Sequence, residues 1–359
     1  MAHEMLPFDQ IKAICEKRAD TIVKETSGGR MLFTAYGARL LGMWPLADGP
    51  NPLWVSKGIE ASMASGQWMT GGERLWIAPE RSFFYENPRD FEGFHVPAGI
   101  DPGEYATTGE LTFENSFALL DYSTNMAFEG TVARRKFEVI DDPFDSSLPC
   151  AAVRISDSVS VPSDSMAMCA WSLAQIYTCG PEAPGTVFFP VKSGAGILSY
   201  FNPIPASRAE ALEGYARFKI DANDIYKLAL RPEDMVFDNP VKAVYLSPAP
   251  GSDRWMCLIK RCNDMPRSQS DCVDIARDNP DGPLGATQAY NNGPGMPVAG
   301  DEFHAFGEME LQLNKGVVSD GRTVSSATHE LLAYTGEQNQ LLELAQTALG
   351  IASAPRLYE

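Results

Sequence analysis

The spacing of short strand-like runs is the feature that most constrains the fold of this chain. From residue 31 onward, apolar or alternating runs recur at intervals of roughly ten residues and are separated by glycine, proline and polar turn residues. The runs predicted as strands are Met31–Gly37, Ala38–Trp44, Arg74–Ala78, Gly109–Phe113, Ser116–Asp121, Ala127–Val132, Arg134–Ile140, Ala151–Ile155, Met166–Tyr177, Gly185–Pro190, Ile197–Phe201, Ala243–Leu246 and Trp255–Arg261. Many short strands with few helices indicate an all-β fold, either an antiparallel sandwich or a barrel.

Only three segments have the spacing of helices. Residues 7–25, Ser207–Phe218 and Gly336–Gly350 each place apolar residues at helical intervals. No linker rich in glycine, proline or serine divides the chain, and no repeat of fixed period is found. We therefore predict an N-terminal helix in residues 1–27, one continuous β-sandwich domain in residues 28–335, and a C-terminal helix in residues 336–359 that packs on that domain.

The charge of the chain excludes several classes of partner. The 359 residues carry a net charge of −18, which opposes binding to nucleic acids and to anionic membranes because both require positive charge. No apolar window is long enough to span a bilayer, and residues 1–20 lack the apolar core of a secretory signal. The seven cysteines form no CxxC pair. Together these features predict a cytoplasmic protein in a reducing environment, and they leave the oligomeric state open.

Common cofactor motifs are absent from the sequence. There is no GxxxxGK[ST] loop, no GxGxxG after a strand, no HExxH and no GxSxG. The four histidines are scattered without the paired spacing of zinc ligands. We therefore expect no cofactor and no metal site of paired histidines, while a metal held by Asp and Glu side chains from different strands stays an open alternative.

An acidic strand near the end of the chain is the strongest candidate for chemistry. Gly307–Leu313 alternates so that Met309, Leu311 and Leu313 share one face, while Glu308, Glu310 and Gln312 share the other. Such a face is either a solvated edge or the floor of a polar ligand site, in which a carboxylate accepts a proton. His304 lies shortly before this strand, and an imidazole near a carboxylate suits acid–base catalysis at neutral pH.

Three further segments carry polar candidates. In Gly71–Arg81, a strand places Arg74 and Trp76 on one face, and these side chains suit a sugar ring or a carboxylate-bearing ligand. The alternative pairs Arg74 or Arg81 with Glu73 or Glu80 and places Trp76 in the core. Gln175 shares a strand face with Trp171 and needs a partner if it is buried. Lys227 precedes an apolar run and is either an inward, paired lysine or a surface lysine. The long loop 87–105, which contains His95, has the length of a binding element.

The sequence resembles the galactose-mutarotase-like superfamily, in particular its poorly characterised bacterial members. The resemblance rests on Tyr36–Gly42, Gly71–Glu80, Trp171–Gln175, Tyr290–Asn292 and Phe306–Leu313, and it spans roughly residues 28–335. It implies a large β-sandwich, or supersandwich, with a concave sugar-binding face that includes Asn291. Well-studied members interconvert sugar anomers without a cofactor, using a glutamate base on a late strand and a histidine acid.

The base implied by this resemblance is Glu308 or Glu310, which lie on the same strand face. The mid-chain catalytic histidine of the epimerases has no counterpart, because no histidine occurs between His95 and His304. The acid is then Lys227, Arg74, His95 or His304.

The leading expectation for function is an enzyme that acts on a sugar and resembles aldose 1-epimerases. It would have Glu308 or Glu310 as base and His304 as acid or orienting group. The residues expected to bind the substrate are Arg74, Trp76, Glu80, Arg81, His95, Gln175, Lys227 and Asn291. Two alternatives remain: a non-catalytic carbohydrate-binding or sensing protein, and a lyase or hydrolase that acts on an acidic or oligomeric sugar.

Overall fold

The computed structural model describes residues 5–294 and 306–359. Its helices are α1 (Phe8–Glu16), α2 (Ile59–Ala64), α3 (Glu80–Phe84) and α4 (Gln338–Leu349). The first strands are β1 (Thr21–Glu25), β2 (Arg30–Thr34), β3 (Arg39–Trp44), β4 (Glu73–Ala78), β5 (Tyr85–Asn87), β6 (Glu92–Phe94), β7 (Ala106–Gly109), β8 (Thr112–Asp121), β9 (Met126–Ile140), β10 (Cys150–Val161) and β11 (Cys169–Tyr177). The remaining strands are β12 (Gly185–Pro190), β13 (Leu198–Ser199), β14 (Ala209–Ala211), β15 (Tyr215–Ile220), β16 (Tyr226–Leu230), β17 (Val241–Pro248), β18 (Trp255–Cys262), β19 (Thr287–Asn291), β20 (Phe306–Lys315), β21 (Val317–Ser319) and β22 (Arg322–Gly336).

These strands form two large antiparallel sheets. The smaller sheet has nine strands in the order β1-β2-β3-β4-β11-β20-β19-β16-β13. The larger sheet has eleven strands, ten of them in the order β14-β15-β12-β17-β18-β22-β10-β9-β8-β7, with β21 paired to β22. Strands β5 and β6 form a separate two-stranded ribbon. The predicted all-β, mainly antiparallel sandwich is therefore confirmed.

The main hydrophobic core lies between the two sheets. Alternate residues of the central strands point into it, among them Leu75, Met309 and Leu311 from the smaller sheet and Leu258 and Leu331 from the larger one. Removing such side chains from water supplies the main driving force for packing the sheets face to face.

The helices cover parts of the two outer faces. Helix α4 packs on the outer face of the larger sheet, where Leu341 and Leu344 join Val244 and Leu332 in a second cluster. Helices α1 and α2 pack against β2 and β3, at one end of the smaller sheet. Within the described residues, no helix combines the length and apolar composition needed to cross a lipid bilayer.

Two of the predicted helices differ from the structure. The segment Ser207–Phe218 contains strands β14 and β15, which pair with each other around Gly214, a residue with φ of +80°. The apolar residues of this segment do have helical spacing, but a glycine with a positive φ favours a turn over a continuing helix. The helix predicted for residues 7–25 ends at Glu16, and Thr21–Glu25 pairs with β2 instead, because Thr21, Ile22 and Val23 are β-branched. The C-terminal helix lies where the sequence predicts it.

Candidate functional site

The outer face of the central strands of the smaller sheet is unusually polar. Its register sets Leu173 and Gln288 on either side of Glu310, and Gln175 and Tyr290 on either side of Glu308. The side chains of this face, called the floor below, are Arg74, Trp76, Trp171, Leu173, Gln175, Lys227, Gln288, Tyr290, Glu308, Glu310 and Gln312. They come from β4, β11, β20, β19 and β16, which are neighbours in the sheet although far apart in sequence.

Two glycines in left-handed conformations immediately precede strand β4, which contributes to the floor. Gly71 and Gly72 have φ of +103° and +81°, and a Cβ on Gly71 would lie 2.2 Å from the carbonyl oxygen of Trp54. Only glycine accepts this conformation and this close approach. The turn sets the register from which Arg74 and Trp76 emerge on the outer face.

Arg74 connects the first strand of the floor to the acidic strand. Its Nη2 donates to Oε1 of Glu308 at 2.7 Å, and its guanidinium lies over the rings of Trp76 at 4.1 Å and Trp68 at 5.1 Å from the centroids. Trp76 is itself held in place because its Nε1 donates to Oδ2 of Asp101 at 2.8 Å. Stacking and charge pairing together fix the direction of this arginine.

Lys227 joins the acidic strand to helix α3. Its Nζ lies 3.0 Å from Oε2 of Glu310 and 3.8 Å from Oε2 of Glu80, and 4.5 Å from the ring centroid of Trp171. Burial disfavours the charged ammonium, but the attraction of Glu310 and Glu80 outweighs it and holds the pKa of Lys227 above its ordinary value. The inward, paired lysine is therefore the observed alternative.

Two carboxyl groups beside Lys227 titrate near neutrality. Burial raises the pKa of Glu310 to about 7 despite the attraction of Lys227. Burial likewise raises the pKa of Glu80 to about 7, again against the attraction of Lys227. A carboxyl group with such a pKa exists in both protonation states at neutral pH, so it can act as either an acid or a base.

Asp274 closes the acidic cluster from a loop outside the sheet. Its carboxylate accepts from the backbone N–H of Glu80 at 3.0 Å and from Nε2 of Gln288 at 3.3 Å. Burial raises the pKa of Asp274, while Lys227 opposes the rise. The carboxylate thus ties the start of α3 to strand β19.

Several buried polar atoms of the floor find no hydrogen-bond partner among the described residues. Buried polar groups are nearly always paired, so a cluster of unpaired ones indicates a surface that binds water or a ligand. The atoms are Nε and Nη1 of Arg74, Nε1 of Trp171, Oε1 of Gln175, Oε1 of Gln288 and Nε2 of Gln312, together with Oε2 of Glu310, which is ion-paired with Lys227. Both donors and acceptors occur, as recognition of a hydroxylated ligand requires.

The structure brings most of the predicted site residues together. Arg74, Trp76, Gln175, Lys227, Glu308 and Glu310 lie on the floor, and Glu80 faces it from α3. The ion pairs of this segment differ from those considered in the sequence analysis, which joined Arg74 or Arg81 to Glu73 or Glu80. In the structure, Arg74 pairs with Glu308, and Glu80 pairs with Lys227.

Three predicted residues lie elsewhere. Arg81 donates to the carbonyl oxygens of Pro88 and Arg89 and so holds the loop between β5 and β6. His95 is half-buried, and its Nε2 contacts the hydroxyl of Tyr122 at 2.9 Å. The side-chain oxygen of Asn291 accepts from the backbone N–H groups of Asp221 and Ala222, because Asn291 follows Tyr290 by one residue and points to the opposite face. His304 lies outside the described residues.

Sequence reasoning missed Asp274, Gln288 and Tyr290 as members of the site. Asp274 lies in a polar loop whose many acidic residues gave no reason to choose one. Gln288 and Tyr290 belong to a strand that was not predicted, although their alternation with Ala289 was a usable signal.

One other cluster has the residue types of a metal site. Ligand atoms of Glu73, Asp157 and His329 lie within 4.8 Å of one another in the core between the sheets. Arg135 donates to Glu73 at 2.5 Å and to Asp157 at 2.8 Å, so a guanidinium supplies the positive charge there. We therefore interpret this cluster as an ion-pair network.

No protein-family model and no curated protein matches this sequence. Among solved structures, the chain is similar to a protein from Escherichia coli K12 provisionally described as an aldose 1-epimerase, with 10% identity over 89% of this chain and 100% of that chain and a TM-score of 0.47. It is also similar to a galactose mutarotase-like protein from Lactobacillus casei ATCC 334, with 10% identity, 88% and 100% coverage and a TM-score of 0.46. A galactose 1-epimerase from Lactobacillus acidophilus NCFM follows, with 11% identity, 88% and 94% coverage and a TM-score of 0.41.

The names of these structures are of the kind that the sequence resemblance leads one to expect. At such identities and TM-scores, the similarities say nothing of what this chain binds. The function proposed below therefore rests on the chain's own residues.

Proposed function

We propose that this protein is a carbohydrate-active enzyme that interconverts the anomers of an aldose or a sugar derivative by cofactor-free general acid–base catalysis. One observation carries the proposal: the floor sets Glu308, paired with Arg74, beside Glu80 and Glu310, the two carboxyl groups with a pKa of about 7. A proton acceptor and a proton donor at neutral pH are the minimum requirement of this reaction.

The reaction needs one proton removed and one delivered. A base takes the proton of the hydroxyl at the anomeric carbon while an acid protonates the ring oxygen, so that the bond between this carbon and the ring oxygen breaks. The open-chain aldehyde then rotates and the same steps run in reverse, which restores both protons. Because no electrons leave the sugar, the reaction needs no redox cofactor.

We assign the base to Glu308 in preference to Glu310. The side chain of Glu308 is 9% exposed and that of Glu310 is 1% exposed, so Glu308 is the more accessible to a substrate. Arg74 donates to Oε1 of Glu308, which leaves Oε2 as an acceptor for a substrate hydroxyl. Glu310, paired with Lys227, would then orient the lysine toward the substrate.

We assign the acid to Glu80. Its side chain is 14% exposed, and its pKa of about 7 gives a protonated fraction near one half at neutral pH. Glu308 contributes to raising this pKa, so the two carboxylates are close enough to influence each other.

The floor also offers what a sugar ring needs for binding. Trp68, which is half-buried and lies next to Trp76 of the floor, supplies a flat apolar surface, and the polar atoms without a partner among the described residues supply donors and acceptors for hydroxyl groups. We expect Arg74 and Gln175 to contact the substrate, because both carry buried polar atoms without a partner among the described residues.

Anomer exchange measured by NMR on a panel of aldoses and uronic acids tests the proposal. We expect acceleration by the wild-type protein and a loss of about 10²- to 10⁴-fold in Glu308→Gln. Glu330→Gln is the matched control, because Glu330 pairs with Arg154 and Arg261 on the larger sheet. No acceleration with any sugar, or full activity in both Glu308→Gln and Glu310→Gln, would contradict the proposal.

A non-catalytic sugar-binding protein is the second candidate. The observation in its favour is that both carboxylates of the acidic strand already have cationic partners: Arg74 donates to Oε1 of Glu308 at 2.7 Å, and Lys227 lies 3.0 Å from Oε2 of Glu310. This candidate predicts that a sugar raises the melting temperature by mass action, without anomer exchange. Uronic acids belong in the same panel because Arg74 has two donors without a partner among the described residues, which would suit an acidic sugar.

A further inference from the structure

A network of charged side chains lies directly behind the floor, in the core between the sheets. The smaller sheet contributes Glu73 and Ser172, and the larger sheet contributes Arg135, Asp157, Lys260 and His329; we call these six residues the backing network. All six are buried. Burying so many charges between two sheets gains little stability over apolar packing, which raises the question of what the network does.

Lys260 is the member that reaches the acidic strand. From β18 its Nζ donates to Oγ of Ser172 at 2.7 Å, to the carbonyl oxygen of Ser172 at 3.1 Å, and to the carbonyl oxygen of Met309 at 3.2 Å. These three bonds account for all three ammonium protons. One lysine of the larger sheet therefore holds two adjacent strands of the floor, β11 and β20, from behind.

Each residue held by the network is a chain neighbour of a floor residue. Met309 lies between Glu308 and Glu310, Ser172 follows Trp171, and Glu73 precedes Arg74. Neighbouring residues of a strand point to opposite faces, so a contact on the inner face fixes where the outer side chain emerges.

We propose that Lys260 is a positioning residue that holds the Glu308–Glu310 segment of β20 in the geometry of the reaction, acting through the backbone of Met309 and through Ser172. The inference rests on the proposed function for the catalytic consequence, but the positioning itself is measurable without a sugar. Lys260 does not touch the substrate, because it lies on the inner side of the sheet.

The charge of Lys260 also acts on the floor through the sheet. Lys260 and Glu310 attract each other, and Glu73, Arg135 and Asp157 contribute to the same local field, with His329 bonded to Asp157. Burial lowers the pKa of Lys260 to about 8, so the ammonium is the predominant form at neutral pH. Removing this charge leaves Glu310 with less stabilisation of its anion.

The test compares Lys260→Met with Lys242→Met. Lys242 is a matched control because it is a buried lysine of the same sheet with a pKa lowered to about 8 by burial, and it donates only to backbone carbonyls of residues 236 and 239. The carboxyl titration of Glu310, followed by carbon NMR and assigned with Glu310→Gln, should move upward in Lys260→Met by roughly half a unit or more. The titration in Lys242→Met should match the wild type.

The catalytic consequence is measured on the same variants. We expect kcat to fall about tenfold in Lys260→Met with KM within about threefold of wild type, because a misplaced base slows chemistry more than binding. If Lys260→Met does not fold, Ser172→Ala tests the same link with a milder change, and its Glu310 titration should move in the same direction.

The outcomes separate the two proposals. A Glu310 titration and a kcat that both match those of Lys242→Met would overturn the positioning role. A wild-type protein without anomer exchange would instead refute the proposed function, while the Glu310 titration would still decide whether Lys260 acts on β20.

Discussion

Lys227 and Glu310 form a buried ion pair with Nζ and Oε2 separated by 3.0 Å, and the same ammonium lies 3.8 Å from Oε2 of Glu80. One ammonium group therefore interacts with two carboxyl groups, so its positive charge does not fully compensate the negative charge of both. This sharing explains how both can have a pKa near 7 with a lysine beside them: burial raises each pKa more than a shared cation lowers it.

Replacing Lys227 by methionine should raise the pKa of both Glu80 and Glu310 above about 7, because the attraction that lowers both values is lost. Because Glu80 acts as the acid and must be protonated, we expect the alkaline limb of the pH–rate profile to move to higher pH, without a loss of rate at neutral pH from this cause. The measurement is kcat/KM for anomer exchange between pH 5 and pH 9.

Lys57→Met is the control for this change, since Lys57 is exposed. An unchanged profile in Lys227→Met would mean that Lys227 is not what couples the two carboxyl groups. A protein that unfolds above neutral pH would instead show that the cation is needed to keep Glu310 buried once it ionises.

Stability should fall as the pH rises through the titration of Glu310. Its folded-state pKa of about 7 lies above the ordinary value of 4.5 for a glutamate, so between these values the native state binds more protons than the unfolded state. The free energy of unfolding contributed by this group is therefore fully present below about pH 4.5 and is lost by about pH 7. At about 1.4 kcal/mol per pKa unit, the loss is on the order of 3 kcal/mol.

The measurement is urea unfolding of the wild type and Glu310→Gln at several values between pH 5 and pH 8. The glutamine cannot ionise, so the variant should lack this decline, and the difference between the two proteins should change with pH as predicted. Parallel curves would show that Glu310 does not titrate in this window. Asp157, whose pKa is lowered to about 2 by Arg135 and His329 against its burial, contributes only at lower pH.

Much of the floor was predictable because alternation is a local property of the chain. The pattern of Glu308, Met309 and Glu310 requires that the two carboxylates share a face in any strand, and the structure has them on the same side of β20. The same holds for Arg74 and Trp76 on β4. Hydrophobic spacing also predicted α4, which has a capping box at its start and ends at Gly350 in a left-handed conformation.

Partners across strands were not predictable, because register depends on the whole sheet. Nothing near Arg74 in the sequence indicates a partner 234 residues away, yet it pairs with Glu308. Asn291 and Tyr290 are adjacent in sequence but on opposite faces, so membership of a motif did not imply membership of the site. The segment Ser207–Phe218 could not be assigned from apolar spacing, because this spacing fits a helix. Only the backbone of Gly214, which is left-handed, shows that the chain turns there and forms two strands.

Replacing Gln175 by leucine should change binding and stability in opposite directions. Oε1 of Gln175 has no partner among the described residues, and its Nε2 contacts only the sulfur of Met69 at 3.6 Å. An apolar side chain removes a buried, poorly paired amide, so stability should rise by about 1 kcal/mol. If Gln175 binds the sugar, KM should rise about tenfold.

Both effects are measured on one variant, by urea unfolding and by sugar titration. Gln269→Leu is a control in which the glutamine amide is satisfied, because it donates to Glu233 and Leu284, and this change should destabilise. A stabilised Gln175→Leu with wild-type KM would remove Gln175 from the list of substrate contacts.

Replacing Asp101 by asparagine should be among the most destabilising changes near the site. Arg39 donates from Nη2 to both oxygens of Asp101 at 2.6 Å, and the two side chains are fully buried. The amide leaves the guanidinium buried without a counter-charge, which typically costs about 3–5 kcal/mol. Because Trp76 donates to the same carboxylate, the change should also loosen the ring on which Arg74 stacks.

Urea unfolding and sugar affinity of Asp101→Asn should therefore both worsen, whereas the exposed Asp90→Asn should leave both within error. A large loss of stability with unchanged sugar affinity would restrict Asp101 to holding the fold. An unaffected stability would mean that the hydrogen bonds of Arg39 to the carbonyl oxygens of Gly71 and Trp68 suffice to keep its charge buried. In that case the carboxylate would matter mainly as the acceptor that orients Trp76.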